Sequence, residues 1–211
     1  MRSRTLLTGG SGLLGTEIQK HVRVYAPSHR ELDFVKCRTP KGEFDLIVHS
    51  GAYTDVVKAE TERLQCLETN VNGTFNLLRT YPGVPFVYIS SEYAKKPVNH
   101  YSWTKKIAED IVKTLGEGKT GSPYLIIRTL FKPVPFPFKK AFVDQWTRGD
   151  EVTIIAPLII RAIRRWNKIT NKLIYVGTGR KRIIDIARKS RPDVGEMWLD
   201  EVEGVTLPKS Y

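Results

Sequence analysis

The 211 residues carry 34 Lys and Arg against 22 Asp and Glu, a formal net charge of +12, and 41% of them are hydrophobic. That is enough apolar material for one good core, in one compact domain or a domain with a small lobe, and no apolar run approaches the roughly 18 residues that a membrane helix needs. The two cysteines, Cys37 and Cys66, and the four histidines fall in no metal or redox spacing, so free thiols and no metal site are expected.

Thr5-Leu6-Leu7 reads as a strand over about 4–8, and Thr8-Gly9-Gly10-Ser11-Gly12-Leu13-Leu14-Gly15 as a turn feeding a helix over about 12–20. The apolar run is too short for a signal-peptide core and glycines follow at once, so export is not expected and a cytoplasmic location is. Glycine serves where backbone takes positive φ or lies against a pyrophosphate, and a helix N-terminus then offers free N–H groups to the phosphates. A merely structural turn is the alternative; the strand before and the helix after count against it. Two spacings coexist, Gly10-x-Gly12-x-x-Gly15 and Gly9-x-x-Gly12-x-x-Gly15, and the residues alone do not choose.

A second strand is expected at 22–26, and after it Ser28, His29 and Arg30 precede the first acid, Glu31. An acid there suits the ribose 2′-hydroxyl of NAD, whereas a 2′-phosphate wants Arg or Ser donors, so NADP(H) is favoured over NAD(H). Asp45 to His49 is a third strand, residues 56–80 are helical in one or two pieces, and strand 85–90, helix 101–115 and strand 123–128 follow. This alternation implies an α/β, Rossmann-like doubly wound parallel sheet with helices on both faces. Tyr101 and Lys105, four apart on one helix face, can point into the same site. Such a pair is common on surfaces, but it follows a buried strand ending in Ser90-Ser91-Glu92-Tyr93, and that constellation is much rarer.

After Arg128 the pattern loosens. Lys132-Pro133-Val134-Pro135-Phe136-Pro137-Phe138 reads as a loop, either a lid at a lobe junction or aromatic packing within it. A helix near 139–148, a strand over 151–155, a helix over 157–168, a strand over 172–176 and a helix over 181–190 are expected beyond it. The basic excess is denser in this second part, with Arg161, Arg164 and Arg165 on one helix. It reads as a solvated surface or as attraction for anionic ligands. Nucleic acid is not expected as a partner, because no recognition signature accompanies the charge.

The order of the glycine turn, Gly51-Ala52-Tyr53-Thr54, Asn70-Val71-Asn72-Gly73-Thr74, Ser90 to Tyr93, Tyr101 to Lys105 and Arg128-Thr129 resembles the extended short-chain dehydrogenase/reductase family over about the first 130 residues. Lys58-Ala59-Glu60 and Arg128-Thr129-Leu130-Phe131 are most similar to its dTDP-4-dehydrorhamnose reductase group. Departures from that group are Val57 for an acid, Ser91 for Thr, Phe131 for Trp, and a shorter chain. The resemblance implies a dinucleotide-binding domain over 1–130 and a reduced substrate lobe over 131–211, some of whose elements return to the sheet. It implies phosphate-loop residues Gly9, Gly10, Ser11, Gly12, Leu13, Leu14 and Gly15, and cofactor contacts at Ser28, His29, Arg30, Asp33, Gly51, Ala52 and Tyr53. It makes Tyr101 the acid, Lys105 its electrostatic partner and ribose ligand, Ser91 the carbonyl donor, and Glu92 a proton-delivery candidate. Ser91, Phe131 and Arg165 fall on the side of a nucleotide-sugar substrate. Reductase, epimerase or dehydratase, and a noncatalytic cofactor-binding regulator all stay open, as does a homodimer.

Overall fold

The computed structural model describes residues 4–118 and 121–209. Strand β1 (Thr5–Thr8) leads through the glycine turn into helix α1 (Leu13–His21). Strand β2 (Leu46–His49) follows, then a 3-10 turn at Lys58–Glu60, α2 (Arg63–Leu67), a π-helical turn at Glu68–Asn72 and α3 (Gly73–Thr80). Next come β3 (Phe86–Ser91), α4 (His100–Gly116) and β4 (Tyr124–Thr129). Beyond them lie short strands β5 (Phe131–Lys132), β6 (Lys140–Phe142), β7 (Trp146–Thr147) and β8 (Asp150–Glu151), then α5 (Val152–Arg165) and β9 (Lys172–Tyr175). Strand β10 (Lys181–Arg182), α6 (Ile183–Ser190) and β11 (Gly195–Met197) complete the set.

The central sheet is parallel, in the order β1-β2-β3-β4-β9. The expected strand at 22–26 shrinks to one parallel bridge, Leu6 to Tyr25, on the free side of β1. Tyr25 N donates to Thr5 O and Leu7 N to Tyr25 O, each at 2.9 Å, before the chain leaves the edge. The chain therefore crosses to one side of β1 and returns on the other, and ligands of open α/β sheets bind at the strand C-ends beside such a reversal.

Strand alternation sorts the core into two layers. Leu7, Val48, Val87, Ile89, Leu125 and Ile127 face α1 and α5, with Leu14, Ile18, Ile155 and Ile159. Leu6, Ile47, Phe86, Tyr88 and Ile126 face α3 and α4, with Leu77, Leu78, Ala108 and Val112. Both faces are covered, as a parallel sheet requires.

Two expectations fail after residue 130. The β-branched run Val152 to Ile155 is not a strand; it opens α5. Its buried positions Val152, Ile155, Ala156, Ile159 and Ile160 fall at i, i+3, i+4, i+7 and i+8, a helical stripe that packs beside α1 and overrides local strand propensity. The expected helix at 139–148 is instead β6 and β7, which pair with β11 and β10. These small strands and α6 enclose a separate core of Phe136, Ala141, Ile183, Ile184, Ile186, Ala187 and Val194.

Candidate active site

The glycine turn is a stack of three backbones. Gly9 adopts φ +68°, and a Cβ on it would lie 2.7 Å from Gly51 Cα. A Cβ on Gly15 would fall on the Gly9 carbonyl oxygen and 2.7 Å from Gly10 Cα. Gly12 N donates to Gly9 O at 3.0 Å, closing the turn. Helix α1 starts with no side-chain cap and no acid in its first turn, so its N–H groups and positive dipole end stay available to an anion.

A cavity of about 590 Å³ opens above this turn. All seven residues from Gly9 to Gly15 line it, together with His29, Gly51, Ala52 and Phe131. Its wall also takes in residues that sequence reasoning missed: Leu32, Phe34, Thr54 and Thr69, with Pro133, Pro137 and Phe138 from the proline-rich segment. The two aromatic residues of that segment part ways. Phe136 is 4% exposed in the small lobe's core, while Phe138 faces the cavity.

A smaller cavity of about 170 Å³ shares Ser50, Ala52, Thr54 and Phe131 with the first. Ser91, Tyr101 and Lys105 converge on it, with Thr129 and Lys132 beside them. Ser91 and Thr129 are register partners on β3 and β4 and so point to the same side of the sheet. Helix α4 begins with a capping box in which Asn99 Oδ1 accepts from Ser102 N at 2.8 Å and Ser102 Oγ accepts from Asn99 N at 3.1 Å. This fixes the turn that carries Tyr101 and Lys105.

Burial pushes the Tyr101 phenol above its ordinary value of 10.0, partly offset by a hydrogen bond with Ser91. Burial pushes Lys105 down to about 7, against the opposing pull of Glu109 and Cys66. Its Nζ donates to Ile89 O at 2.9 Å. Lys132 is half-buried and is pushed down to about 8 by burial. The signal for Lys132 in the sequence was only its place one residue after Phe131. Beneath the glycine turn, His49 Nδ1 lies 2.7 Å from Thr8 Oγ1 and its Nε2 3.1 Å from Thr74 Oγ1. Burial, then the field of Lys105, holds this histidine down to about 3, so it is neutral.

Six expected site residues line neither cavity. Glu92 turns away: its buried carboxylate accepts from Thr147 Oγ1 at 2.6 Å and Arg148 N at 3.2 Å, tying the turn after β3 to the small lobe. Tyr53 sends its hydroxyl outward to Glu62 at 2.6 Å, while its N–H donates to Asn70. Asp33 is buried in a tight turn, accepting from Lys36 N at 3.1 Å with Arg38 3.6 Å away. Ser28 is occupied by Glu31, whose carboxylate accepts from both its N–H and its hydroxyl. Arg30 is exposed nearby. Arg165 is the clearest correction. Because α5 lies along α1, its last turn emerges beside His21, at the far end of α1 from Gly12, in a groove lined also by Arg161 and Arg164.

Comparison with known proteins gives the family and the fold. The family described as RmlD substrate binding domain matches residues 3–157. The chain belongs to that family. A dTDP-4-dehydrorhamnose reductase from Bacillus anthracis, solved in complex with NADP, superposes with a TM-score of 0.78 at 21% identity, over 100% of this chain and 88% of that one. An ortholog of the same reductase from Clostridium acetobutylicum gives 0.78 at 22% identity, over 98% and 88%. MoeE5, in complex with UDP-glucose and NAD, gives 0.74 at 14% identity, over 99% and 88%. At these identities the likeness shows the fold, a Rossmann-like sheet shared with reductases and epimerase-like enzymes. An uncharacterized membrane protein of Methanocaldococcus jannaschii is 27% identical over 82% of this chain, which spans 63% of that relative's length. Among the described residues, no helix of this chain is long and apolar enough to cross a membrane.

Proposed function

We propose that this protein is an NAD(P)H-dependent reductase of a nucleotide-linked 4-keto sugar, of the extended short-chain dehydrogenase/reductase type. The observation that carries the reading is the convergence of Ser91, Tyr101 and Lys105 on one small cavity that shares a wall with the glycine-turn cavity. The reductase relatives support it.

The residues fit a dinucleotide. Gly9 to Gly15 and the uncapped start of α1 would take the pyrophosphate, Leu32 and Phe34 would flank the adenosine, and Lys105 would meet the nicotinamide ribose. The bound cofactor supplies a hydride to the sugar carbonyl. Ser91 donates a hydrogen bond to that carbonyl's oxygen and fixes its orientation, a bond that strengthens as the oxygen gains charge. Tyr101, protonated at neutral pH because burial raises it, gives its proton to the same oxygen. The Lys105 ammonium, one helical turn on, stabilises the phenolate left behind. NADP(H) is the preferred cofactor in this reading, with His29 and Arg30 as the donors a 2′-phosphate would meet now that Glu31 occupies Ser28. Residues 131–211 supply the substrate side through Phe131 and the proline-rich segment.

Incubation with NADPH or NADH and a panel of nucleotide 4-keto sugars should consume nicotinamide absorbance in step with sugar reduced. Cofactor bound tightly with no consumption on any of them would overturn the reductive reading. Epimerisation is the second reading, favoured by the turn of Glu92 away from the cavity, since that acid was a mark of the reductase group. An epimerase would interconvert sugars with no net use of cofactor.

A further inference from the structure

Lys105 sits where an ammonium ordinarily does not. It is 2% exposed, and its charge is met by a backbone carbonyl rather than by a carboxylate. The charged and titratable groups around it come from four elements. On α4, Glu109 lies one turn further along, its oxygens taken by Arg128 and Ser90, and Tyr101 lies one turn before. From α2 comes Cys66, and from β2 the neutral His49. From β3 comes Tyr88, whose ring centroid lies 4.3 Å from Lys105 Nζ. Alternation along β3 turns Tyr88 to the α4 side, directly before Ile89, whose carbonyl oxygen takes the ammonium's hydrogen bond. Two consecutive residues thus build one cradle, a ring face below and an oxygen beside. An aromatic face is electron-rich, and its attraction for a cation grows as water is removed.

We propose that Tyr88 is a positioning residue of this site: with the Ile89 carbonyl, its ring face keeps the Lys105 side chain charged and directed into the small cavity. The catalytic meaning of that role rests on the reductive reading above; the cradle itself is a property of the unliganded protein. Burial weakens the hold of Lys105 on its proton, and Glu109 and Cys66 oppose that; a ring face 4.3 Å from the ammonium acts in their sense. Removing the ring must therefore let the lysine deprotonate at lower pH, whereas removing only the Tyr88 hydroxyl must not.

The test is the titration of Lys105, followed through its side-chain resonances in lysine-labelled full-length protein. Tyr88→Phe should titrate within a few tenths of a unit of the parent. Tyr88→Leu should titrate lower by about one pH unit or more, the shift that a desolvated cation–aromatic contact supports. Should Tyr88→Leu fail to fold, phenylalanines of increasing fluorination at position 88 keep the shape while draining the ring, and Lys105 should titrate lower with each added fluorine. In turnover, Tyr88→Leu should move the alkaline limb of kcat to lower pH, and Tyr88→Phe should restore it. A Lys105 titration unmoved by ring removal or fluorination, or moved equally by Tyr88→Phe, overturns the proposal. A parent protein without turnover would instead remove the reductive reading and leave the titration to decide the cradle.

Discussion

Gly15→Ala isolates the glycine turn from everything else in the molecule. The added Cβ would fall on the Gly9 carbonyl oxygen, 2.7 Å from Gly10 Cα and 2.9 Å from Gly9 C. Gly9 cannot retreat, because its own far side lies against the Gly51 backbone and its φ of +68° is already one that side chains avoid. Overpacking of this kind costs about 1–3 kcal/mol. In a domain of this size, that lowers Tm by about 2–12 °C. The same displacement opens the turn that would hold the pyrophosphate, so NADPH affinity should fall far more than stability does. Gly179→Ala is the matched control: its Cβ meets nothing within 4 Å, and the substitution should leave Tm unchanged or raise it slightly. Thermal melts and NADPH fluorescence titrations read both quantities. Gly15→Ala protein that binds NADPH as tightly as the parent would refute the assignment of this turn to the cofactor.

Tyr101→Phe keeps the ring and removes the acid, and should cut kcat by about 10²-fold or more while cofactor affinity stays near the parent's; full turnover on a confirmed substrate would remove the mechanism. Arg128→Met strands the fully buried Glu109, whose Oε2 lies 2.7 Å from Arg128 Nη2, and should cost about 3–5 kcal/mol by denaturant unfolding. Burial would raise the Asp150 carboxyl, but hydrogen bonds from Lys189, the Glu151 backbone, Thr178 and Lys181 outweigh it and hold it down to about 2 against an ordinary 3.8. Because the folded state favours its charged form, that contribution is full above about pH 4 and lost as pH falls toward 2. Asp150→Asn should flatten the stability profile over that window.

The sheet, and the convergence of Tyr101 and Lys105 on one cavity, were legible from local pattern. Short continuous apolar runs marked four of the five central strands before residue 130, and β9 after it. Four-residue spacing put Tyr101 and Lys105 on one face of a helix whose start is set by Asn99 and Ser102, a local signal. The failures share a different cause. Glu92 follows Ser91 directly, yet its direction is set by Thr147, 55 residues downstream, reaching back from the small lobe. Tyr53 looks away because Glu62 takes its hydroxyl, and Asp33 because its own turn consumes the carboxylate. Arg165 is displaced because a helix of buried stripe residues lies on α1 where local propensity reads a strand and then a shorter helix. In each case a particular partner that periodicity does not reveal, near in sequence for Asp33 and Tyr53 and distant for Glu92, chose the side chain's direction.

One buried carboxylate explains why the small cavity holds together across four elements. Ser90 Oγ donates to Glu109 Oε1 at 2.6 Å, and Arg128 Nε donates to the same oxygen at 2.8 Å. Arg128 reaches on to the Tyr175 hydroxyl at 2.8 Å and the Ala94 carbonyl at 3.3 Å. Glu109 on α4 is thereby fastened to the ends of β3, β4 and β9 at once. Since side chains alternate along a strand, pinning Ser90 and Arg128 on the α4 side turns their successors, Ser91 and Thr129, the other way, and the cavity at the strand ends takes in Ser90 as well as both of them. An ion pair buried this deeply is a poor source of net stability, because desolvation offsets most of its attraction. What it supplies is register between the strand that carries Ser91 and the helix that carries Tyr101 and Lys105. That register is what the proposed chemistry would need, since the Ser91 hydroxyl comes from a strand and the Tyr101 phenol and Lys105 ammonium from a helix.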